Sequence, residues 1–456
     1  MDLEQAKVHH ERGQLAEAEA IYTQLLNADF DRTDVLFLYG TLLVQQGKHG
    51  LASNVLRMAL DDSEQDISVY QNLSNCYKLE NREKECRDLL RMAIEKKPNA
   101  ELWACLGNTY INNGTPEEAL KCYREALQLD PTNDLIKFHI GLACLELGRY
   151  PEGWEGYAMG FRAGNRTYRG YRGLPEWDGS PGKTVIVWGE QGIGDEIMFA
   201  SCMPEAIRKC KKVIFDCHPR LIDTFKRSFP EVTCHGTRKN QFLEWFPESK
   251  AEAHCSITTL ASMWRKEKAD FHRVPYLKAD AKKVSELRAK SNGKLRVGFS
   301  WTGGTKNTRR DLRSFQLEQL LPILKQDCDF YSLQYTPESA REVCQLEEKT
   351  GIRVKHWPDK VECKNYDETM NFIASMDLVI SVCTTAIHAA GALGVPCWIL
   401  TPSAPAWRYG LEGERHDWYG SVRMFRQGKG ENWTPVIDRV AADLKSLVEE
   451  RGRVAA

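Results

Sequence analysis

The sequence predicts an array of helical repeats followed by an α/β region, on the basis of two periodicities. Up to about residue 163, turn, small and large apolar residues recur every 33 or 34 positions. From residue 183, short β-type runs alternate with helical patterns, which implies parallel sheets joined by right-handed crossovers. A chain of 456 residues is long enough for two or three such domains.

Composition narrows the class of protein. A net charge of -1 gives no reason to expect a chain-wide nucleic-acid or membrane binder. The 15 cysteines are scattered, without Cys-x-x-Cys pairs or zinc spacing, which predicts reduced thiols and no metal site. The first residues lack a signal peptide, and no apolar run approaches the roughly 18 residues of a membrane span. We therefore expect a cytoplasmic protein.

The repeat columns have physical causes. Gly or Asn at the turn can adopt the left-handed backbone that ends a helix, and small residues let paired helices approach closely. A large apolar residue fills the gap between neighbouring repeats. The turn column is Gly13, Gly47, Asn81, Gly114 and Gly148; the first small column is Ala18, Ala52, Cys86, Ala119 and Gly153; the large column is Tyr22, Leu56, Leu90, Tyr123 and Tyr157. These columns predict about five helical hairpins over residues 1–163.

The period and pattern resemble the tetratricopeptide repeat, most fully at Trp103, Gly107, Tyr110, Ala119, Tyr123, Ala126 and Pro131. The resemblance implies that the concave face of the array binds a protein or peptide; a plain spacer or a dimerisation surface is the alternative. The second helix of the fifth repeat also contains Gly153, Gly156, Gly160 and Gly164. Because such glycines weaken a helix, we predict that this hairpin gains stability by docking closely on the next domain.

Beyond a connecting loop at 164–182, two α/β blocks are predicted, at 183–278 and 295–449. The first has strands at 184–188 and 213–217, weaker strands near 231–234 and 252–257, and a helix over 196–209. In the second, strands are expected at 295–301, 329–334, 352–356, 377–382, 396–400 and 421–425, with helices at 316–325, 338–349, 366–375, 385–393 and 435–449. Two such blocks suggest two Rossmann-like lobes that bind a ligand at the carboxyl ends of their strands.

The first candidate motif is the loop Gly189-Glu190-Gln191-Gly192-Ile193-Gly194-Asp195 between a strand and a helix. Backbone N–H groups at Gln191, Gly192 and Gly194 are suited to an anion or a substrate oxygen. The glycine order is not that of a dinucleotide fingerprint, which disfavours a nicotinamide-dependent dehydrogenase. Asp195 either caps the helix or is a general base directed into the cleft.

The second motif is Cys383-Thr384-Thr385-Ala386-Ile387-His388, which follows an apolar strand. Two threonines at a helix start offer hydroxyl and N–H groups, and His388 shares their face of the helix. This arrangement favours a diphosphate site. The alternative is capping by threonine beside a core histidine.

The third motif is Ser300-Trp301-Thr302-Gly303-Gly304-Thr305-Lys306, followed by Arg309, Arg310 and Arg313. A glycine-containing turn at a strand end, together with clustered cations, suits a phosphate ligand. A solvated basic loop is an equally weighted alternative.

Together these motifs resemble repeat-fused glycosyltransferase-like proteins related to bacterial heptosyltransferases, and more distantly the O-linked N-acetylglucosamine transferases. The matching stretches are Pro175-Glu176-Trp177-Asp178-Gly179, Gly189 to Asp195, Val297-Gly298-Phe299-Ser300-Trp301, Asp377 to Leu400, Pro405-Ala406-Trp407-Arg408-Tyr409, and Trp418-Tyr419 to Phe425-Arg426-Gln427. The resemblance implies two lobes of the glycosyltransferase-B type, the first of them short, and catalysis without a metal or another cofactor.

The resemblance also implies roles for individual residues. Asp195 falls at the position of the base, and Lys306 is a looser match to a lysine that contacts phosphate. Relatives often have Asp where this sequence has Cys383. The predicted donor-binding set is Thr384, Thr385, His388, Lys306, Trp301, Gly303 and Gln334.

We therefore expect transfer of a sugar from a nucleotide-diphosphate donor to an acceptor, a protein presented by the repeats. Two alternatives remain open at this point. One is an inactive repeat scaffold with a vestigial nucleotide-sugar site. The other is a transferase that acts on lipopolysaccharide or a glycolipid.

Overall fold

The computed structural model describes residues 2–60, 67–171, 173–237, 243–291, 293–304, 310–361 and 364–455. By packing, the chain divides into two compact units, Met1–Ala143 and Cys144–Ala456. This boundary lies 20 residues before position 163, at which the sequence places the end of the repeats. It falls inside the first helix of the fifth hairpin, so only the end of that helix and the second helix group with the α/β elements.

The helical-repeat part consists of antiparallel helices in sequential hairpins. They are α1 (Leu3–Glu11), α2 (Leu15–Ala28), α3 (Thr33–Gln45), α4 (His49–Met58), α5 (Ile67–Leu79), α6 (Glu83–Lys96), α7 (Ala100–Asn112), α8 (Pro116–Leu129), α9 (Asp134–Glu146) and α10 (Tyr150–Met159). All five predicted turn residues have positive φ, including the non-glycine Asn81 at 58°. This confirms the role expected for the turn column.

Close packing within the hairpins explains the small residues. A Cβ atom added at Gly107 would lie 2.5 Å from a ring carbon of Tyr123, so α7 and α8 meet only because this position lacks a side chain. Gly40 lies in the same way against Leu56, at 2.6 Å. The residues of the large column are all buried, and Tyr123 and Leu56 lie against the backbone of the paired helix.

The α/β region contains two parallel sheets. The first has the order β3-β2-β1-β4, and the second has the order β10-β9-β8-β5-β6-β7. Their strands are β1 (Thr184–Trp188), β2 (Lys212–Cys217), β3 (Thr233–Gly236), β4 (Ala253–Ser256), β5 (Leu295–Ser300), β6 (Cys328–Ser332), β7 (Val354–Lys355), β8 (Leu378–Val382), β9 (Cys397–Thr401) and β10 (Val422–Arg426). The alternating pattern thus gave parallel sheets as expected.

The helices of this region follow its strands, and most of them are short. They are α11 (Ile193–Phe199), α12 (Met203–Lys209), α13 (Ile222–Ser228), α14 (Ile257–Trp264), α15 (Ala281–Arg288), α16 (Leu321–Leu324), α17 (Ser339–Thr350), α18 (Pro358–Val361), α19 (Tyr366–Ala374), α20 (Thr385–Leu393) and α21 (Thr434–Ala455). The helix predicted over 196–209 was wrong as one element, because a 3-10 turn at Ala200–Cys202 separates α11 from α12. Likewise, 316–325 forms a 3-10 turn and then α16, at whose start Pro322 lacks a backbone N–H.

The segment predicted as a connecting loop is fixed to the first sheet. The backbone N–H of Trp177 donates to the carbonyl of His254 at 2.7 Å, beside β4. The Arg166 and Tyr171 side chains of the same segment are buried. Residues 164–182 therefore form part of the wall of the first lobe.

The second helix of the fifth hairpin, α10, packs on the α/β region, as predicted. The indole N–H of Trp154 donates to the carbonyl of Arg265 at 2.7 Å, and its ring meets the Trp407 ring edge-on at 5.7 Å. The glycines of α10 were expected to allow close docking on the next domain. This expectation is wrong for Gly153, because an added Cβ would lie 2.8 Å from Leu145 of α9. The small size of this residue serves packing inside the hairpin.

Candidate functional site

The main cleft is formed where the carboxyl ends of strands from both sheets meet. Sheet order reverses between β1 and β4 and between β5 and β8, and ligands in α/β folds bind at such points. The cleft has a volume of about 490 Å³, within the range typical of small-ligand sites. Its lining comprises Gly192, Ile193, Gly194, Asp195, Gly304, Leu312, Arg313, Tyr335, Cys383, Thr384, Thr385, His388, Pro402, Ala404, Pro405, Ala406, Arg408 and Tyr409.

The walls of the cleft meet at the starts of α11 and α20. A Cβ atom added at Gly194 would lie 3.1 Å from a ring carbon of His388 and 3.4 Å from the Thr385 hydroxyl oxygen. The first two sequence motifs are therefore brought into direct contact. Gly194 is needed for this approach, whereas at Gly192 the nearest atom to an added Cβ is an Asp195 carboxylate oxygen at 3.6 Å.

The start of α20 is capped by a threonine and also faces the main cleft. The Thr384 hydroxyl accepts a hydrogen bond from the backbone N–H of Ala386 at 3.3 Å and lies 3.1 Å from the Ser381 hydroxyl. Thr384 thus performs the capping that the sequence left as an alternative. Both Thr384 and Thr385 also line the cleft, where the positive end of the helix dipole favours an anion.

Asp195 is held by an arginine. The Nε and Nη2 atoms of Arg408 both donate to its Oδ1, the first at 2.7 Å, and the backbone N–H of Gly192 lies 3.4 Å from its Oδ2. From the third position of α11, Asp195 therefore accepts the N–H of the capping residue Gly192, and it is also the partner of a half-buried guanidinium. The structure places it in the cleft, as a base requires, but with both oxygens engaged.

Arg408 is the cationic group that sequence reasoning missed. It belongs to a stretch that carried the family resemblance, yet it lies 213 positions from Asp195, so spacing gave no sign of the pair. A 3-10 turn at Trp407–Tyr409, after β9, positions it. Burial is the largest single influence on the pKa of Arg408 and lowers it, but the charge and hydrogen bonds of Asp195, together with Tyr157 and Tyr409, outweigh burial, so the pKa is raised.

His388 is a neutral group in the wall of the cleft. Its Nδ1 lies 3.0 Å from the Tyr419 hydroxyl, and its side chain is buried. Burial, followed by the positive charges of Arg408 and Arg313, lowers the pKa of His388 to about 3. The imidazole therefore carries no charge at neutral pH.

The third motif supplies Arg313 to the cleft. Its Nη1 donates to the Cys383 carbonyl at 2.9 Å, which fixes the guanidinium beside the start of α20. Gly303 packs against the same turn, where an added Cβ would lie 2.8 Å from the Thr384 methyl carbon. Lys306 and Arg309 lie outside the described residues.

The structure does not bring Trp301 and Gln334 to the surface of the cleft. Trp301 is buried in the core of the second sheet, and its indole N–H donates to the Glu342 carboxylate at 2.7 Å. The buried side-chain amide of Gln334 bonds to the backbone of Thr302 and to the Ser300 hydroxyl. Both residues fasten the strand-end turn.

A second cavity of about 350 Å³ lies on the other side of the Gly189–Gly194 loop. It follows the carboxyl ends of β1, β2 and β3, and is lined by Asn165, Arg166, Thr167, Arg169, Gly189, Glu190, Gln191, Glu196, Cys217, His218, Pro219 and Thr237. Gln191, at a positive φ of 65°, faces this cavity, whereas Gly192 faces the main cleft. The loop predicted from sequence thus separates two cavities.

The carboxylates around this second cavity differ in their pairing. Glu190 is bonded to the buried Arg166 guanidinium and to the Thr258 hydroxyl. Glu196 accepts the backbone N–H of His218 at 2.7 Å. Burial is the main cause that raises the pKa of Glu196 to about 8, while the bond from His218 lowers it. One sign in the sequence indicated that Glu196 lies near a cavity, namely its position next to Asp195.

Two kinds of site are absent from the described residues. Among the described residues, no group of three or more His, Cys, Asp or Glu side chains is arranged to hold a metal ion. In the same part of the chain, no helix is long and apolar enough to cross a membrane.

Comparison with known proteins supports the repeat part. The profile of the tetratricopeptide repeat matches residues 100–133. Residues 100–133 therefore contain a tetratricopeptide repeat. It is also 27% identical to Protein FlbA of Caulobacter vibrioides over 445 residues, which cover 84% of this chain and 73% of FlbA.

Other similarities are more restricted. The peroxisomal targeting signal receptor of Candida albicans is 28% identical over 103 residues, and the match spans 22% of this chain and 17% of that receptor. Among solved structures, the crystal structure of MamA matches with a TM-score of 0.33 and 20% identity, over 36% of this chain and 96% of MamA.

Proposed function

We propose that the protein is a metal-independent glycosyltransferase of the glycosyltransferase-B type, which uses a nucleoside-diphosphate sugar. The observation that carries this proposal is the main cleft, in which the start of α20 lies beside Arg313 and Arg408 between two parallel sheets. A helix N-terminus with two guanidinium groups is a strong site for a diphosphate. The volume of about 490 Å³ suits a ligand of this size.

The proposed chemistry is displacement of the diphosphate by an acceptor hydroxyl. The acceptor oxygen forms a bond to the anomeric carbon of the sugar while the bond from that carbon to the diphosphate oxygen breaks. Asp195 takes the acceptor proton, and Arg313, Arg408 and the backbone at the start of α20 stabilise the charge on the leaving diphosphate. In this proposal His388 is a neutral wall of the site, since its pKa is lowered to about 3.

The proposed acceptor is a protein or peptide bound by the repeats. Tetratricopeptide arrays present extended surfaces to other proteins, which supports this choice. Several large apolar side chains of the repeats are exposed and available for contact; they include Phe30, Leu51, Met58 and Leu79.

A thermal-shift panel of UDP, GDP, ADP, CMP and their sugars tests the donor site. A ligand present at 100 times its Kd should stabilise the protein by about 2.7 kcal/mol. Arg313→Gln should abolish the shift given by the best ligand. Arg310→Gln is the matched control, because Arg310 lies in the same 3-10 turn but is exposed and does not line the cleft.

The second candidate is a non-catalytic protein-binding scaffold. It is favoured by the engagement of Asp195 with Arg408, since a base held in an ion pair is not ready to accept a proton. Binding of a nucleotide sugar without hydrolysis or transfer, in the presence of a captured protein partner, would support the scaffold. Absence of any shift across the panel would overturn the donor-site proposal.

A further inference from the structure

The ion pair between Asp195 and Arg408 joins the two lobes across the main cleft. Asp195 lies on α11, which follows β1 of the first sheet, and Arg408 lies in the turn after β9 of the second sheet. Both side chains line the cleft. A diphosphate bound at the start of α20 would therefore meet an arginine that already has an anionic partner.

We infer that Arg408 exchanges partners, so that a diphosphate takes this guanidinium from Asp195 and thereby frees the carboxylate. This inference rests on the proposed function, and it adds an order of events to it. The donor binds first, Arg408 moves onto its phosphate oxygens, and only then does Asp195 have a free oxygen for the acceptor proton. When the diphosphate product leaves, Arg408 returns to Asp195.

Aromatic packing holds the turn that carries Arg408 at the cleft. The guanidinium lies 5.2 Å from the centre of the Trp407 ring. Trp407 is in turn packed edge-on against Trp154 and Tyr157 of α10, at 5.7 and 5.9 Å. The Arg408 side chain is only 20% exposed, and a largely buried cation without an anion is disfavoured, so Arg408 is more stable with an anionic partner at each stage.

The charges and geometry favour the diphosphate over the carboxylate. Arg408 donates two N–H groups to a single oxygen, Asp195 Oδ1. A diphosphate offers several oxygens and more negative charge, and a forked guanidinium binds such groups in a bidentate manner.

Calorimetric titration of the full-length protein with inorganic pyrophosphate tests the exchange through a double-mutant cycle. The variants are Asp195→Asn, Arg408→Gln and the double variant. If Arg408 must leave Asp195, the substitution Asp195→Asn should tighten pyrophosphate binding more in the natural background than in the Arg408→Gln background. We expect the two factors to differ about tenfold, which corresponds to a coupling free energy of about 1.4 kcal/mol. Simple charge repulsion would give the same factor in both backgrounds.

Controls separate the possible outcomes. Asp367→Asn breaks a different ion pair between the lobes, that with Arg227, and should leave the pyrophosphate Kd unchanged. Should Arg408→Gln not fold, Arg408→Lys replaces it, and a reduced effect of Asp195→Asn beside this unforked cation supports the exchange. Equal effects of Asp195→Asn in all backgrounds, or no binding of pyrophosphate, overturn it. A nucleotide sugar that binds while the coupling is absent overturns the exchange alone and leaves the proposed function standing.

Discussion

Replacement of Glu196 by Gln is expected to stabilise the protein at alkaline pH. Glu196 is buried beside the second cavity and accepts a single backbone hydrogen bond from His218 among the described residues. Gln has the same shape as the protonated acid and can accept the same bond. The substitution therefore removes the ionisation with little other change.

The magnitude follows from the raised pKa. Below pH 4.5, the usual value for Glu, this carboxyl is protonated in both the folded and the unfolded protein and has no effect on pH dependence. Between 4.5 and about 8 the unfolded chain releases the proton while the folded protein keeps it, so the free energy of unfolding falls as pH rises. At about 1.4 kcal/mol per pH unit, this interval corresponds to on the order of 5 kcal/mol.

Urea denaturation at pH 5, 7 and 9, followed by tryptophan fluorescence, measures this effect. Every tryptophan except Trp103 lies within Cys144–Ala456, so the signal reports mainly on the unit that contains Glu196. The advantage of Glu196→Gln over the natural protein should grow with pH and level off above pH 8. Glu286→Gln, at an exposed position, should change stability by less than about 0.5 kcal/mol at every pH. A constant difference between Glu196→Gln and the natural protein from pH 5 to 9 would refute the reasoning.

Three further expectations concern the cleft and its walls. Gly194→Ala should weaken nucleoside-diphosphate binding by about tenfold, as measured by calorimetry, because the added methyl group pushes α11 away from α20. Gly192→Ala is the control and should leave the Kd nearly unchanged. Arg166→Met should lower the free energy of unfolding, measured by urea denaturation, by about 3–5 kcal/mol, because it leaves the buried Glu190 carboxylate without its partner. The further substitution Glu190→Gln removes that carboxylate and should recover part of the loss. Trp301→Phe should reduce stability by about 1–2 kcal/mol with unchanged ligand affinity, and a loss of affinity would instead place Trp301 at the ligand.

Local patterns predicted the elements well. The turn column gave the helix ends because the left-handed backbone is a property of a single residue, and Asn81 adopts it as Gly does. The strands followed from short apolar runs between polar segments. Errors came at 196–209 and 316–325, where prolines and a 3-10 turn interrupt a helical pattern that periodicity alone treats as continuous.

The candidate site was predicted in part. Asp195, Thr384 and His388 lie at the main cleft because the loops that carry them follow the carboxyl ends of parallel strands. Trp301 and Gln334 also lie at strand ends, but their side chains turn into the core or onto the neighbouring backbone. The position of a residue at a strand end determines where its backbone lies. The direction of its side chain depends on the residues against which it packs.

The sequence by itself determined the repeating hairpins, the parallel strands and the loops that lie at their ends, because these depend on periodicity and on the conformations of single residues. Only the tertiary structure decided that Asp195 is paired with Arg408 and that Glu196 is buried with a raised pKa. The charge state and availability of such groups depend on distance and on exclusion of water, and both are set by residues far apart in the chain.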